Sequence, residues 1–372
     1  MLTARENIIK TLRCDNPEWI PVTAYCDPFN ISSEGVPEEL REIFENLTWE
    51  KSIQATLALS KYLGVNEYWL GTPAPYNFRS SCDIERKTED NKAIAIIHTS
   101  KGDLRRVTTT VGRESFATER YIKGPEDLPA YLEYYQSLKF EPDIENLKRA
   151  RELKNIMGDK GVLNFGFIGT PLSVMYREAT DITQLAYLLM DLPEQMKELF
   201  ACIEEKTLQG LRYTLENAPE IDVFTTVDDT STTLISPNMF EEHNLELTNT
   251  RADLIHEYGK IYLHHSCGLI HDLLPVYRKT RMDGVHAFTT PPIGDVEYEE
   301  GRKLLGDKIS IFSSLLSGIQ SNDEQYIEEF VRKKFEAGKK AGNIMFSAGG
   351  GNRPFSVIEK VFNMDFHNDK KI

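Results

Sequence analysis

Apolar and polar positions alternate along the chain with two different periods, and the changes of period mark the elements. Thr3 to Cys14 predicts an amphipathic helix with Ile8, Ile9 and Leu12 on one side. Asn16-Pro17 ends it, and Trp19 to Ala24 reads as a strand. Pro37 to Leu63 reads as mostly helical, with Thr48 as a candidate N-cap. A two-residue period then takes over: Ala93 to Thr99, a turn at Lys101-Gly102-Asp103, Leu104 to Val111 and Ser115 to Tyr121 predict an antiparallel hairpin or small meander. Beyond residue 125 strands and helices alternate. Helices are expected at about 126–135 and 142–157, a strand over Val162–Phe167, and a long helix from Pro193 to Leu215. Val223 to Val227 is the next strand, and Pro237 to Glu257 the next helix, with Ser236 placed to cap it ahead of Pro237. Four strands follow, Lys260–Leu263, Gly284–Phe288, Ile309–Phe312 and Asn343–Phe346, with helices at about 269–279, 295–305 and 323–340 between them.

With a short strand at Tyr68-Trp69-Leu70 the count reaches eight. This predicts an α/β fold, a (β/α)8 TIM barrel with an antiparallel β-hairpin excursion over about residues 78–123. The expected organisation is one domain across 1–372; an open, doubly wound sheet is the rival architecture. Composition alters this picture little, since 40% hydrophobic and 27% charged residues are ordinary values. Charge excludes more. Lys and Arg number 43 against 58 Asp and Glu, a net charge of −15, which argues against a nonspecific nucleic-acid binder. The longest apolar run, Leu185 to Met190, is far short of the roughly 20 residues a membrane span needs. The first ten residues lack an apolar signal core, so a cytoplasmic protein is expected. The five cysteines, Cys14, Cys26, Cys82, Cys202 and Cys267, form no CxxC and suggest no disulfide framework.

In such a barrel the reactive groups belong at the carboxyl ends of the strands. The predicted strand ends carry Tyr25-Cys26-Asp27, Asp228-Asp229, His264-His265-Ser266-Cys267, His286, Ser313-Ser314 and Ser347 to Arg353. His265 and Cys267 are two apart, and at an extended strand end residues i and i+2 point the same way. Imidazole and thiolate together suit zinc, which usually takes a third protein ligand in a catalytic site. Asp228, Asp229, His286, Asp27 and Glu178 are the candidates for that place. The plainer reading makes Cys267 a buried small hydrophobe and the histidines backbone partners; His264 points the other way and reads as structural. Asp228 and Asp229 are candidate general bases or substrate ligands, or else cap the following turn. Gly349-Gly350-Gly351 suits either anion binding or a flexible connection. Tyr25, Asp27, Arg79, His286 and Arg353 are candidate substrate contacts, the arginines through bidentate carboxylate binding.

Taken together, several segments resemble the uroporphyrinogen decarboxylase superfamily. They are Arg5 to Lys10 with Trp19-Ile20-Pro21-Val22, Asp228-Asp229 with Ile235 to Phe240, His265-Ser266-Cys267-Gly268, Pro291 to Val296, and Leu304 to Lys308. The resemblance spans nearly the whole chain and implies a (β/α)8 barrel. It also implies one of two chemistries. True decarboxylases of the superfamily carry arginines after the first strand to grip porphyrin carboxylates, whereas Val22 to Asn30 contains none and places Asp27 there. The cobamide-dependent methyltransferases hold zinc through an H-x-C pair after the fifth strand and a later cysteine after the eighth. His265 and Cys267 match the pair, while Ser347-Ala348-Gly349-Gly350 stands at the later position.

The resemblance thus implies a zinc-dependent methyltransferase of one-carbon metabolism. It would move a methyl group between a corrinoid protein and a small substrate or thiol acceptor. His265 and Cys267 would hold the metal, and Asp228 or Asp229 would orient substrate or complete the ligand set. The first rival is a metal-independent decarboxylase or other lyase acting on a smaller acid through Asp228 or Asp229 with Arg79 or Arg353. The second is a barrel that only docks a corrinoid protein.

Overall fold

A computed structural model describes residues 1–23, 31–32, 35–45, 51–65, 67–112, 114–348 and 353–364, with backbone alone at 31, 32, 114 and 353. Two compact units emerge: Met1–Pro73 with Lys148–Gly166 and Ala218–Ile372, and Ala74–Leu147 with Phe167–Asn217.

The first unit is built on an eight-stranded parallel sheet. In chain order its strands are β1 (Val22–Thr23), β2 (Tyr68–Thr72), β3 (Gly161–Ile168), β4 (Val223–Val227), β5 (Ile261–His265), β6 (Gly284–Phe288), β7 (Ser310–Ser314) and β8 (Ile344–Ser347). They lie side by side in the order β1-β8-β7-β6-β5-β4-β3-β2, so each strand from β2 to β8 neighbours the next and β8 returns to β1. This is the (β/α)8 barrel the strand count predicts. The seam between β1 and β2 is bridged by a side chain: buried Glu67 accepts from the Val22 amide at 2.9 Å and from the Trp19 indole N–H.

Inward-facing residues of six strands, Trp69, Val162, Val223, Ile261, Leu263, Phe312 and Met345, form one apolar cluster. The helix Ala4–Leu12 inserts Ile8 and Leu12 into this cluster. Both are fully buried, each contributing about 1.5–3 kcal/mol. Thr3 and Glu6 close a capping box at its start, and Arg5 reaches Asp222 at 2.6 Å, tying it to the base of β4. The outward faces of β2 and β3, with Tyr68, Leu70 and Leu163, pack against Leu153 and Met157.

Most predicted elements recur with boundaries moved by a few residues. The helix expected over Pro237–Glu257 is two, Pro237–His243 and Leu245–Glu257, divided at Asn244; Ser236 caps the first by accepting from the Met239 amide at 3.2 Å. The helix expected at about 269–279 shortens to a 3-10 turn, His271–Leu273, and the single turn Leu274–Tyr277. Thr48 lies outside the described residues.

The second unit carries a four-stranded antiparallel meander, Asp83–Glu89, Lys92–Thr99, Gly102–Val111 and Glu114–Glu119. Its first strand lacks an apolar run because neither face is fully buried, which is why the hydrophobic pattern misses it. A separate antiparallel pair joins Tyr76–Ser80 to Leu138–Pro142, and the long helix runs Pro193–Asn217. Among the described residues no helix is long and apolar enough to cross a membrane.

Candidate metal centre

The carboxyl ends of β4, β5 and β6 bring four polar side chains together. Asp229 follows β4, His265 ends β5 with Cys267 two residues on, and His286 lies within β6. Asp229, His265 and Cys267 each offer a ligand atom, and these atoms all lie within 4.8 Å of one another. The Nε2 of His265 is 3.1 Å from an Asp229 carboxylate oxygen. Its Nδ1 is 2.9 Å from Nδ1 of His286. The His265 side chain is 22% exposed and that of Asp229 40%, so the group opens to solvent on one side.

Strand alternation explains the arrangement. His265 shares the inward face of β5 with Ile261 and Leu263, whereas His264 is turned outward and fully buried. There His264 meets Phe240 and Tyr277 edge-on, at ring separations of 5.7 and 5.6 Å. Its Nδ1 lies 3.3 Å from the buried Asp228 carboxylate and 3.2 Å from the Thr226 hydroxyl; its Nε2 lies 3.0 Å from the Thr230 hydroxyl. Asp228 and Asp229 therefore serve opposite faces of the sheet. Asp229 manages this with a left-handed backbone, φ +50°, a conformation aspartate tolerates better than most residues.

The two faces differ electrostatically. Burial opposes charge on His265, but its hydrogen bonds to Asp229 and Cys267, with their negative field, outweigh burial and raise its pKa to about 9. An anion-rich pocket that favours a proton also favours a cation. For His264 burial prevails over the attraction of Asp228, and its pKa falls. His286 falls well below the usual imidazole value through burial and the proximity of His265.

The donor set fits zinc. One nitrogen, one sulfur and one oxygen match its borderline softness, and three protein ligands leave a fourth position open. Metal bonds of about 2.0 Å imply tetrahedral edges of about 3.3 Å, near the 3.1 Å between His265 and Asp229.

Among the described candidates for a third ligand, Asp229 is the one whose carboxylate joins His265 and Cys267. His286 contacts His265 rather than completing the triad. Arg79 lies in the second unit, 78% exposed and 3.8 Å from Glu141. Tyr25, Asp27 and Gly349 to Gly351 lie outside the described residues, as does the side chain of Arg353. Two contributors escape sequence reasoning. Trp69 stacks on His286 from β2, and Ala287, at φ +64°, accompanies a register shift between β6 and β7. Trp69 sits in the least patterned strand, and nothing about an alanine signals a left-handed bulge.

A parallel eight-stranded barrel with its polar cluster at the carboxyl rim defines the class as a TIM-barrel enzyme fold. Residues 125–364, well over half of the chain, match the uroporphyrinogen decarboxylase (URO-D) family, and the chain belongs to that family. The matched segment includes Asp229, His265, Cys267 and His286. Among solved structures, a methyltransferase from Methanosarcina mazei aligns over 99% of both chains with a TM-score of 0.64 at 16% identity, which shows a shared fold. A GH5 family lichenase from Caldicellulosiruptor sp. F32 aligns over 95% of this chain and 89% of its own, at 10% identity and a TM-score of 0.39. A putative vitamin-B12 independent methionine synthase from Listeria monocytogenes covers 93% of this chain and 92% of its own, at 11% identity and a TM-score of 0.35. No curated protein sequence matches the chain.

Proposed function

We propose that this protein is a zinc-dependent methyltransferase that moves a methyl group between a corrinoid protein and a small substrate or thiol acceptor. One observation carries the reading: the convergence of Asp229, His265 and Cys267 at the barrel mouth. Membership of the URO-D family and the fold shared with a protein described as a methyltransferase support it.

His265, Cys267 and Asp229 would hold the metal. Zinc bound there would supply Lewis acidity, lowering the pKa of a coordinated thiol so that it is a thiolate nucleophile at neutral pH. The carboxylate from β4 takes the role left open by the serine and alanine after β8. His265 presents Nε2 to the site and Asp229 closes one side of it. Asp228, buried against His264, holds the turn that carries Asp229. We assign Tyr25, Asp27 and Arg353, in the segments after β1 and β8, to substrate contact.

Elemental analysis of the purified protein tests the assignment. Near-stoichiometric zinc in the natural chain and its loss in Cys267→Ala are expected, together with zinc-dependent methyl transfer from methylcobalamin to a small thiol. Absence of zinc from the natural chain, with decarboxylation of a small acid that survives a strong chelator, would overturn the assignment in favour of a metal-independent lyase.

A further inference from the structure

We infer that His286 is a positioning residue for His265: its Nδ1 accepts the proton on Nδ1 of His265 and thereby leaves Nε2 as the nitrogen presented to Asp229 and Cys267. The inference rests on reading that triad as a metal centre. The two Nδ1 atoms are 2.9 Å apart, and the rings are tilted by 52° at a centroid separation of 5.1 Å. At that distance a single proton lies between the nitrogens, because two lone pairs repel and two N–H groups collide. Once a cation takes the lone pair on Nε2, the imidazole of His265 has one place left for its proton, Nδ1. His286 must then be the acceptor, with its own proton on Nε2.

The acceptor is held from three sides. Trp69 of β2 stacks on the His286 ring, 6.2 Å away and within 10° of parallel. Phe312 of β7 meets it at 4.9 Å and 68°. The chain turns immediately after it, where Ala287 adopts φ +64° and the register between β6 and β7 shifts between His286 and Phe288. The residue is 9% exposed. Metal-bound imidazoles commonly give their second N–H to a carboxylate, a carbonyl or water, which fixes tautomer and ring orientation. A neutral histidine performs the same task here without adding a negative charge beside the triad.

The test uses the full chain, stripped of metal and titrated with Co2+ in competition with a chelator, reading the visible absorption of the bound ion. His286→Phe keeps a ring between Trp69 and Phe312 but removes the acceptor. It should bind Co2+ about 10- to 100-fold more weakly than the natural chain. His286→Asn places an amide oxygen where Nδ1 was and should recover most of that loss. Thermal melts verify that both variants are folded. 15N NMR of the natural chain loaded with diamagnetic Zn2+ supplies a second readout: Nδ1 of His265 should carry the proton, and His286 should be protonated on Nε2. Equal Co2+ affinity in His286→Phe and the natural chain, equal weakening in Phe and Asn, or a shared proton residing on His286 each overturn the inference. A natural chain that binds no Co2+ sinks instead the metal reading on which the inference rests.

Discussion

Two neighbouring histidines on one strand occupy opposite worlds. His264 faces outward, fully buried among Phe240, Tyr277, Thr226 and Thr230, with Asp228 at 3.3 Å. His265 faces the barrel mouth, 22% exposed, with Asp229 at 3.1 Å and His286 at 2.9 Å. The sequence repeats itself, two aspartates on β4's end and two histidines on β5's end, and each face receives one of each. Burial decides which pair is structural. On the closed side each nitrogen of the imidazole is met by a threonine hydroxyl, at 3.2 and 3.0 Å. On the open side the carboxylate, imidazole and thiol bring their ligand atoms within 4.8 Å of one another.

The largest effect expected from this difference is on metal content. His265→Ala and Cys267→Ala should each reduce zinc from about one per chain to near none, since either leaves too few ligands for a catalytic site. His264→Ala should retain zinc while losing stability. Loss of zinc from a folded His264→Ala protein as complete as from His265→Ala would break the division between the faces.

The aspartates should separate in the opposite observable. Asp228→Ala strips a buried imidazole of its carboxylate and leaves a void, costing about 2–4 kcal/mol by denaturant unfolding. Asp229→Ala removes a side chain that is 40% exposed and should shift stability by no more than about 0.5–1 kcal/mol, yet abolish tight zinc binding. Equal destabilisation by the two substitutions would show that the turn acts as one structural unit.

This division was partly legible in the sequence. Parity along β5 assigns His265 and Cys267 to one face and His264 to the other, because the side-chain period of a strand is two. Six of the eight strands, β3 to β8, are likewise legible in the hydrophobic pattern. Parity alone did not choose between Asp228 and Asp229, because that depends on the left-handed φ at Asp229, a property of the turn rather than of the pattern. Nor did it relate His286 to His265. They are register partners on β5 and β6, and local patterns carry no information about which residues of two separate strands lie opposite each other. The strand Asp83–Glu89 escaped for a different reason: with no buried face it has no hydrophobic signature.

The faces should also respond to pH in opposite senses in the metal-free protein. His265 is raised to about 9 from an unfolded value near 6.5, so the folded state holds its proton more tightly. The stability this supplies, of order 3 kcal/mol, is fully present below pH 6.5 and is lost as pH rises through about 9. His264 is lowered, so the unfolded state binds its proton more readily, and stability is lost as pH falls below about 6.5. Unfolding free energy measured from pH 5 to 10 should lose its alkaline limb in His265→Gln and flatten at the acid end in His264→Gln. The opposite pairing of variant and limb would reverse the assignment of the two environments.

The smallest effect concerns backbone strain, which flanks the open face. Asp229 of the triad and Ala287, next in the chain to His286, both have positive φ. Aspartate has a polar side chain suited to that conformation, but alanine has none, so at Ala287 the Cβ is crowded without compensation. Ala287→Gly relieves about 1–2 kcal/mol of crowding and costs about 0.5–1 kcal/mol in backbone entropy. The net expectation is a gain in stability of about 0.5–1 kcal/mol. A freer backbone beside His286 should at the same time weaken zinc binding, because the ring that orients His265 is less firmly aimed. Chemical unfolding and a chelator competition on the same preparation read the two quantities together. Tighter zinc binding accompanying the gain in stability would show that the bulge strains the open face rather than shaping it.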